Sequence, residues 1–131
     1  MSKATKKAAS GIVWFEIPAD NPERAKTFYS KMFGWEINEF PGTAVDKYWH
    51  IDTGGPDAAP DGGLLPRKHP GQQITNYISV ASLKTAMAKL EKLGGKVCVG
   101  KTAVPTMGYF AICQDTEENT FALWEMNPKA K

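Results

Sequence analysis

Apolar and polar positions alternate along the stretch "IVWFEIPAD", residues 12–20. An alternation with period two is typical of a β-strand, whose successive side chains point to opposite faces. One face carries Trp14 and Glu16, so a carboxylate lies beside an indole in the middle of the strand. The opposite, apolar face is predicted to pack against a helix and carries Val13, Phe15 and Ile17.

The period then changes to that of a helix. Asn21 is a predicted N-cap and Pro22 suits the first helical position, while Gly34 is predicted to end the helix. The apolar residues between them recur at i, i+3, i+4, i+7 and i+8, as in an amphipathic helix. These residues are Ala25, Phe28, Tyr29, Met32 and Phe33.

The same order of elements occurs twice. A shift of 61 positions places Ile17 on Ile78 and Gly34 on Gly95, and it also superimposes Ala25 on Ala86, Tyr48 on Tyr109, Trp49 on Phe110 and Ile51 on Ile112. In the second half, Ser82 is the predicted N-cap of a helix that ends at Gly94 and Gly95. The remaining predicted strands are "WEINEF", "KYWHIDT", "GGLLPR", "ITNYISV", "KVCVG", "GYFAICQD" and "TFALWEM".

Each half therefore reads β-α-β-β-β, and the fold class is α+β. Repeat one spans about residues 12–66 and repeat two about 74–127, with a flexible tail over 1–10. Neither half alone could cover both faces of its sheet, so we expect one domain over residues 1–131. The loop of residues 54–63, rich in glycine and proline, is either a plain surface loop or a lid over a binding site.

Alternation sorts the side chains of the strands into two faces. In "GYFAICQD", Phe110 and Ile112 are predicted to pack toward the helix, which leaves Tyr109, Ala111 and Cys113 on the other face. By the shift of 61, Trp49 and Ile51 also face the helix. The face away from the helices is predicted to carry Trp14, Glu16, Tyr48, His50, Asp52, Tyr77, Ser79, Tyr109 and Trp124. Aromatic rings with a few polar groups suit a small-molecule pocket, although such rings also simply fill space.

Composition narrows the function classes. The 131 residues are 42% hydrophobic and 23% charged, and the net charge of +2 is too small to indicate a nucleic acid or membrane partner. No apolar run approaches the length of a transmembrane span, and the N-terminal lysines precede no hydrophobic segment, so we expect a cytoplasmic protein. Cys98 and Cys113 lie in apolar runs and are predicted to be buried free thiols.

Three runs carry a resemblance: "FEIPADNPERAKTFYSKMFGWEI", "YISVASLKTAMAKLEKLGGKV" and "MGYFAICQDTEENTFALWE". From about residue 12 to 127 the chain resembles the vicinal oxygen chelate superfamily, which includes glyoxalase I, bleomycin-resistance proteins and extradiol dioxygenases. The resemblance implies a curved mixed sheet around a central trough, with the helices outside. It implies little about the reaction, because this fold hosts many.

In metal-using members, the first and last strands of each half supply the metal ligands. Matched to that pattern, the ligand positions are predicted at Trp14, Thr75, Leu64 and Ala122. Indole and alkyl groups offer no lone pair to a metal and a lone threonine is a poor ligand, so no cofactor is predicted. A divalent metal relocated to Glu16, His50 and Asp52 is the alternative. A slip of one residue would bring in Asn76 or Glu125, but it would invert the apolar faces.

Two residues are candidates for acid–base chemistry. A carboxylate that loses hydration becomes a stronger base, so Glu16 is a candidate general base with His50 or a tyrosine hydroxyl as its partner. The alternative is that each makes an ordinary structural hydrogen bond.

Three functions follow from these patterns. The first is a metal-free protein that binds an aromatic or apolar small molecule. The second is a lyase, isomerase or dioxygenase-type enzyme. The third is an interaction module that pairs two chains, since members of the superfamily that this chain resembles are often dimers. The sequence is compatible with both a monomer and a homodimer.

Overall fold

The computed structural model describes residues 10–40, 47–56 and 59–131. The protein is α+β, as predicted, with mixed parallel and antiparallel strand pairing. The elements are β1 (Ile12–Ala19), α1 (Pro22–Phe33), β2 (Glu36–Glu39), β3 (Trp49–Asp52), β4 (Asp61–Pro66), β5 (Thr75–Ser79), α2 (Leu83–Lys92), β6 (Lys96–Val104), β7 (Gly108–Gln114) and β8 (Thr120–Met126). Most of the predicted tail lies outside the described residues.

The chain divides into two compact units. The first unit spans Val13–Asn76, and the second comprises Tyr77–Lys131 together with the residues before Val13. In the first unit the strands lie in the order β2-β3-β4-β1, with β1 parallel to β4 and the other pairs antiparallel. In the second unit the order is β5-β8-β7-β6, with β5 parallel to β8.

The predicted N-caps of both helices and the predicted end of α1 are confirmed. The Asn21 side chain accepts a hydrogen bond from the Arg24 backbone N–H at 3.0 Å, so it caps α1. Gly34 ends α1 in the left-handed conformation, with φ of 75°. Ser82 caps α2 by accepting from the Thr85 N–H at 3.1 Å. With 12 and 10 residues, neither helix of the described chain is long and apolar enough to cross a membrane.

One face of the first unit's sheet packs against α1. Phe15 and Ile17 lie on this face, as the alternation in β1 predicts, whereas Val13 is exposed. The predicted apolar stripe of α1 is wider than its contact with the sheet. Ala25 and Tyr29 pack on the core, but Phe28, Met32 and Phe33 are more than half exposed. The buried members of this core are Ile17, Ala19, Ile37, Trp49, Ile51 and Leu64.

The second unit packs α2 on its own sheet, and here one predicted face is wrong. Tyr109, Ala111 and Cys113 belong to the core under α2, not to the opposite face. The shift of 61 brought Tyr109 onto Tyr48, but Tyr109 faces its helix as Trp49 does in the first unit. Both alternating sets of β7 residues are largely apolar, so the pattern alone does not say which face meets α2, and this explains the error.

The loop predicted over residues 54–63 is shorter than expected. Gly62 and Gly63 pair with both β1 and β3, and Asp61 pairs with β1, so all three belong to β4. Residues 57–58 of the predicted loop lie outside the described part of the chain. These last three residues of the predicted loop therefore cannot form part of a lid, because they are paired in the sheet.

The two cysteines differ in exposure. Cys113 is fully buried, as predicted, whereas Cys98 is exposed on β6, between two residues where the register with β7 shifts. The prediction that Cys98 is buried is wrong, because its apolar neighbours lie on an edge strand. Burial, with smaller contributions from Cys98 and Glu91, raises the pKa of the Cys113 thiol to about 11.

The two thiols should therefore react at very different rates. At pH 8, Cys113 is protonated and shielded, so we expect a disulfide reagent such as DTNB to modify one thiol per native chain quickly and the second after unfolding in guanidinium. The variant Cys98→Ser should abolish the fast phase, and Cys113→Ala should leave it intact. Two fast thiols in the native wild type would contradict the structure.

Candidate functional site

The sheet of the first unit has a second face, on the side opposite α1, which we call the site face. It carries Trp14 and Glu16 from β1. It also carries His50 from β3 and Tyr48, the residue that directly precedes β3. The alternation in "IVWFEIPAD" places the first pair there, and Trp49 and Ile51 on the α1 side leave the second pair. The predicted grouping of these four residues is confirmed within this unit.

The Tyr48 hydroxyl links two residues of β1. It accepts a hydrogen bond from the Trp14 indole N–H at 2.9 Å and donates one to the Glu16 carboxylate at 2.7 Å. All three side chains are partly buried. A hydroxyl can accept and donate at once, so a single tyrosine satisfies both groups. The partner of Glu16 in this network is therefore a tyrosine, one of the two alternatives that the sequence left open.

His50 has a different partner. Its Nε2 lies 3.6 Å from the Asp61 carboxylate, and its ring centroid lies 5.6 Å from that of Trp14. Asp61 is in turn held by the backbone N–H and the hydroxyl of Thr53. Because both side chains of the His50–Asp61 pair are more than a third exposed, the pair orients the imidazole more than it stabilises the fold. Sequence reasoning missed Asp61 because it was assigned to a loop.

Phe40 is a second residue that the sequence did not identify. Its ring centroid lies 5.9 Å from that of Tyr48 and 6.2 Å from that of His50. The Phe40 N–H donates to the Tyr48 carbonyl at 2.7 Å, which extends the β2–β3 pairing by one step. Alternation from Asn38, which lies opposite His50, could have predicted this position.

The charge of the site face has one sign. The strands β1 to β4, as the structure describes them, contain no lysine or arginine. The register places four carboxylates on this face, two near the rings and two toward the end of β3. These four are Glu16, Asp61, Glu36 and Asp52. The predicted ligand-binding residue Asp52 is exposed there and accepts the Gly54 N–H at 2.9 Å, which ties the turn after β3.

In the second unit, the face away from α2 is aromatic and carries two of the predicted site residues. Tyr77 lies edge-on to Phe110 at 6.1 Å between ring centroids, and Phe110 lies opposite Trp124 in the β7–β8 register. Phe110 was predicted to face the helix and does not. Tyr109 was predicted on this face, but its ring packs on the α2 side beneath the Lys101 ammonium, 4.2 Å from the ring centroid.

The side chains at the family's metal positions do not fit a metal ion. Trp14 uses its indole N–H on Tyr48, and Leu64 is buried in the core under α1. The residue of β4 that lies opposite Glu16 is Gly63, which has no side chain to offer. Thr75 and Ala122 are buried, and neither offers the imidazole or carboxylate that such a site uses.

The relocated metal site does not form either. Glu16 is bonded to Tyr48, His50 faces Asp61, and Asp52 ties a turn. Within residues 10–40, 47–56 and 59–131, no three histidine, cysteine or acidic side chains converge into a group that could hold a metal. Glu125, the alternative offered by a slip of one residue, instead accepts the Leu83 N–H at 2.8 Å and so caps α2.

Comparison with known proteins agrees with this architecture. Residues 11–45 match the family model described as bleomycin resistance protein-like N-terminal. The chain is 35% identical over 118 residues to a glyoxylase-like domain-containing protein of Didymella fabae, covering 87% of this chain and 90% of that protein. The chain belongs to the glyoxalase and bleomycin-resistance family. This membership places it in the vicinal oxygen chelate superfamily, as its resemblance implied.

Two further matches widen the comparison. A putative glyoxylase, CFP32, of Mycobacterium bovis is 25% identical over 122 residues, which cover 90% of this chain but 45% of that protein. The chain thus spans about half the length of this relative. The crystal structure of methylmalonyl-CoA epimerase from Mycobacterium tuberculosis has a TM-score of 0.69 at 13% identity, covering 98% of this chain and 93% of that one. At this identity the likeness shows the fold alone.

The hydroxyl of Tyr48 should matter to stability. In Tyr48→Phe, the Trp14 N–H and the Glu16 carboxylate both lose a partner, so we expect the free energy of unfolding to fall by about 1–2 kcal/mol. Urea unfolding followed by far-UV circular dichroism measures this change. Tyr29→Phe is the matched control, because the Tyr29 ring stacks on Trp35 and its hydroxyl is not part of the network. Equal stability of wild type and Tyr48→Phe would contradict the network.

Proposed function

We propose that this family member binds a small aromatic or apolar molecule on the site face of the first unit. The observation that carries the proposal is the convergence of four rings on one face, those of Trp14, Phe40, Tyr48 and His50. Their centroid separations of 5.6 to 6.2 Å are typical of aromatic contacts, so a planar ligand could add a further ring to the cluster. The match to a bleomycin-resistance family model supports a binding role.

Two further properties of the face favour particular ligands. The hydrogen bonds among Trp14, Tyr48 and Glu16 hold the rings in place before any ligand arrives, which lowers the entropic cost of binding. The four carboxylates, with no basic residue in the strands that carry them, oppose an anion. The proposed ligand is therefore neutral or cationic.

Three naphthalene probes of equal ring size test this proposal: 1-naphthylmethanol, 1-naphthylmethylamine and 1-naphthoate. By isothermal titration calorimetry we expect the neutral and cationic probes to bind with dissociation constants of about 1 mM or tighter, given about 12 heavy atoms each. Repulsion from the carboxylates should weaken the anion by about ten-fold or more. In ¹H–¹⁵N spectra, the neutral probe should shift the Trp14 indole resonance.

Two variants locate the binding site. Trp14→Phe identifies the indole resonance and removes the anchor of the network, so it should weaken the neutral probe. Trp35→Phe is the control, because Trp35 packs with Tyr29 and Phe33 beside α1 and should leave binding unchanged. Failure of both uncharged and cationic probes to shift the Trp14 resonance at 5–10 mM, about five to ten times the expected dissociation constant, would sink the proposal.

A second candidate is an enzyme that uses acid–base catalysis without a metal. The hydrogen bond of 2.7 Å from Tyr48 favours it, because it holds the Glu16 carboxylate in a fixed position, from which a carboxylate can take up a proton from a carbon acid and later return it. His50, oriented by Asp61, would serve as the second group. A lyase or isomerase fits this arrangement, whereas dioxygenase chemistry calls for a metal that the residues present do not fit.

Deuterium exchange separates the two candidates. If Glu16 acts as a base, the protein should speed the exchange of the α-protons of an aryl ketone such as 2-acetonaphthone in D₂O, measured by ¹H NMR. Glu16→Gln keeps the size of the side chain and an acceptor for Tyr48 but cannot take up the proton, so it should reduce exchange to the background rate. Binding of the naphthalene probes without any exchange in the wild type would favour the binding protein.

A further inference from the structure

Gly63 lies at the centre of the site face, where the position of Tyr48 leaves no room for a larger residue. On β4 it lies opposite Glu16 of β1 and His50 of β3, the two candidate catalytic residues. A Cβ added to Gly63 would overlap the Tyr48 hydroxyl and ring. Its backbone is not in the left-handed conformation that favours glycine, unlike Gly34. The requirement for glycine therefore comes from Tyr48, which lies across the strand.

This arrangement explains why the family's metal does not fit. In metal-using relatives, the last strand of each half sends a side chain toward the metal. Here the corresponding site-face position on β4 is empty of side-chain atoms, and the Tyr48 phenol fills that space. The same phenol then accepts from Trp14 and donates to Glu16, so those two residues of β1 are held by a hydroxyl.

We propose that Gly63 is the residue that determines the specificity of this site. Because Gly63 has no side chain, the Tyr48 phenol can occupy the centre of the site face. The site then favours ligands that bind by ring contacts and hydrogen bonds over ligands that chelate a metal. The choice of ligand rests on the function proposed above. The positioning of Tyr48 by Gly63 does not, and it can be tested without any ligand.

A double-mutant cycle tests the positioning. Gly63→Ala alone should lower the equilibrium constant for folding by about ten-fold or more, because the added methyl group overpacks against Tyr48. In the Tyr48→Ala background, the same change should have an effect of about two-fold or less, since the overlapping atoms are gone. Urea unfolding of the four proteins measures the coupling. If Gly63→Ala fails to fold, recovery of folding in the double variant gives the same answer.

Gly62→Ala is the matched control. An alanine at this neighbouring position would overlap the backbone oxygen and ring of Phe15, on the α1 side, so Tyr48→Ala should not relieve its cost. The hydrogen-bond network provides a spectroscopic readout beyond stability. In Gly63→Ala the Trp14 indole ¹H resonance should move in the same direction as in Tyr48→Phe, whereas a purely structural loss elsewhere would not move it.

The outcomes separate the two proposals. Equal effects of Gly63→Ala with and without Tyr48 would overturn the positioning role, whatever binds. If the cycle shows coupling and Gly63→Ala weakens 1-naphthylmethanol by about ten-fold, the specificity role stands. If the cycle shows coupling but wild type and Gly63→Ala bind the probe equally, the specificity role is overturned. Coupling with no binding to the wild type would refute the proposed function, and with it the specificity role, while leaving the placement of Tyr48 intact.

Discussion

Every strand has two faces, and in each unit the helix that covers one face decides which residues are left for the other. In the first unit α1 takes Phe15 and Ile17, so Trp14 and Glu16 are left on the opposite side in the middle of β1. Neither an indole N–H nor a carboxylate is satisfied by apolar neighbours, so both need a polar partner when partly buried. The Tyr48 hydroxyl meets both needs, and the remaining aromatic rings gather around it.

Much of the fold is predictable from local chemistry. Asn21 and Ser82 cap the helices where the sequence places them, because a cap depends on residues two or three positions away. The faces of β1 also follow from alternation within the strand. The period of the pattern and the capping residues suffice for the fold class, the order of elements and the placement of Trp14 and Glu16 on one face.

The main error comes from a strand with two apolar faces. Both faces of β7 are largely apolar, so alternation alone does not identify the face that meets α2. The shift of 61 carries the β7 assignment to β3, but it is out by one residue there, so β3 is predicted correctly although β7 is not. Tyr109 lies under α2 and Phe110 takes its place beside Tyr77. Leu64 is matched to a ligand position by the family resemblance, but it lies in the core under α1, and its neighbour Gly63 lies on the site face. The exposure of Cys98 depends on which strand lies at the sheet edge, and that is a property of the whole fold.

The close fit of Gly63 and Tyr48 has a consequence for how such a site changes over generations. A larger residue at position 63 clashes while the tyrosine is present, and loss of the tyrosine leaves Trp14 and Glu16 without their shared partner. Each replacement made alone is therefore destabilising, and a larger residue at position 63 is accommodated only where the tyrosine is absent. Evolution from glycine to a larger residue at position 63 therefore requires that Tyr48 be lost first. The order of the two mutations is constrained, and we expect positions 48 and 63 to vary together among relatives.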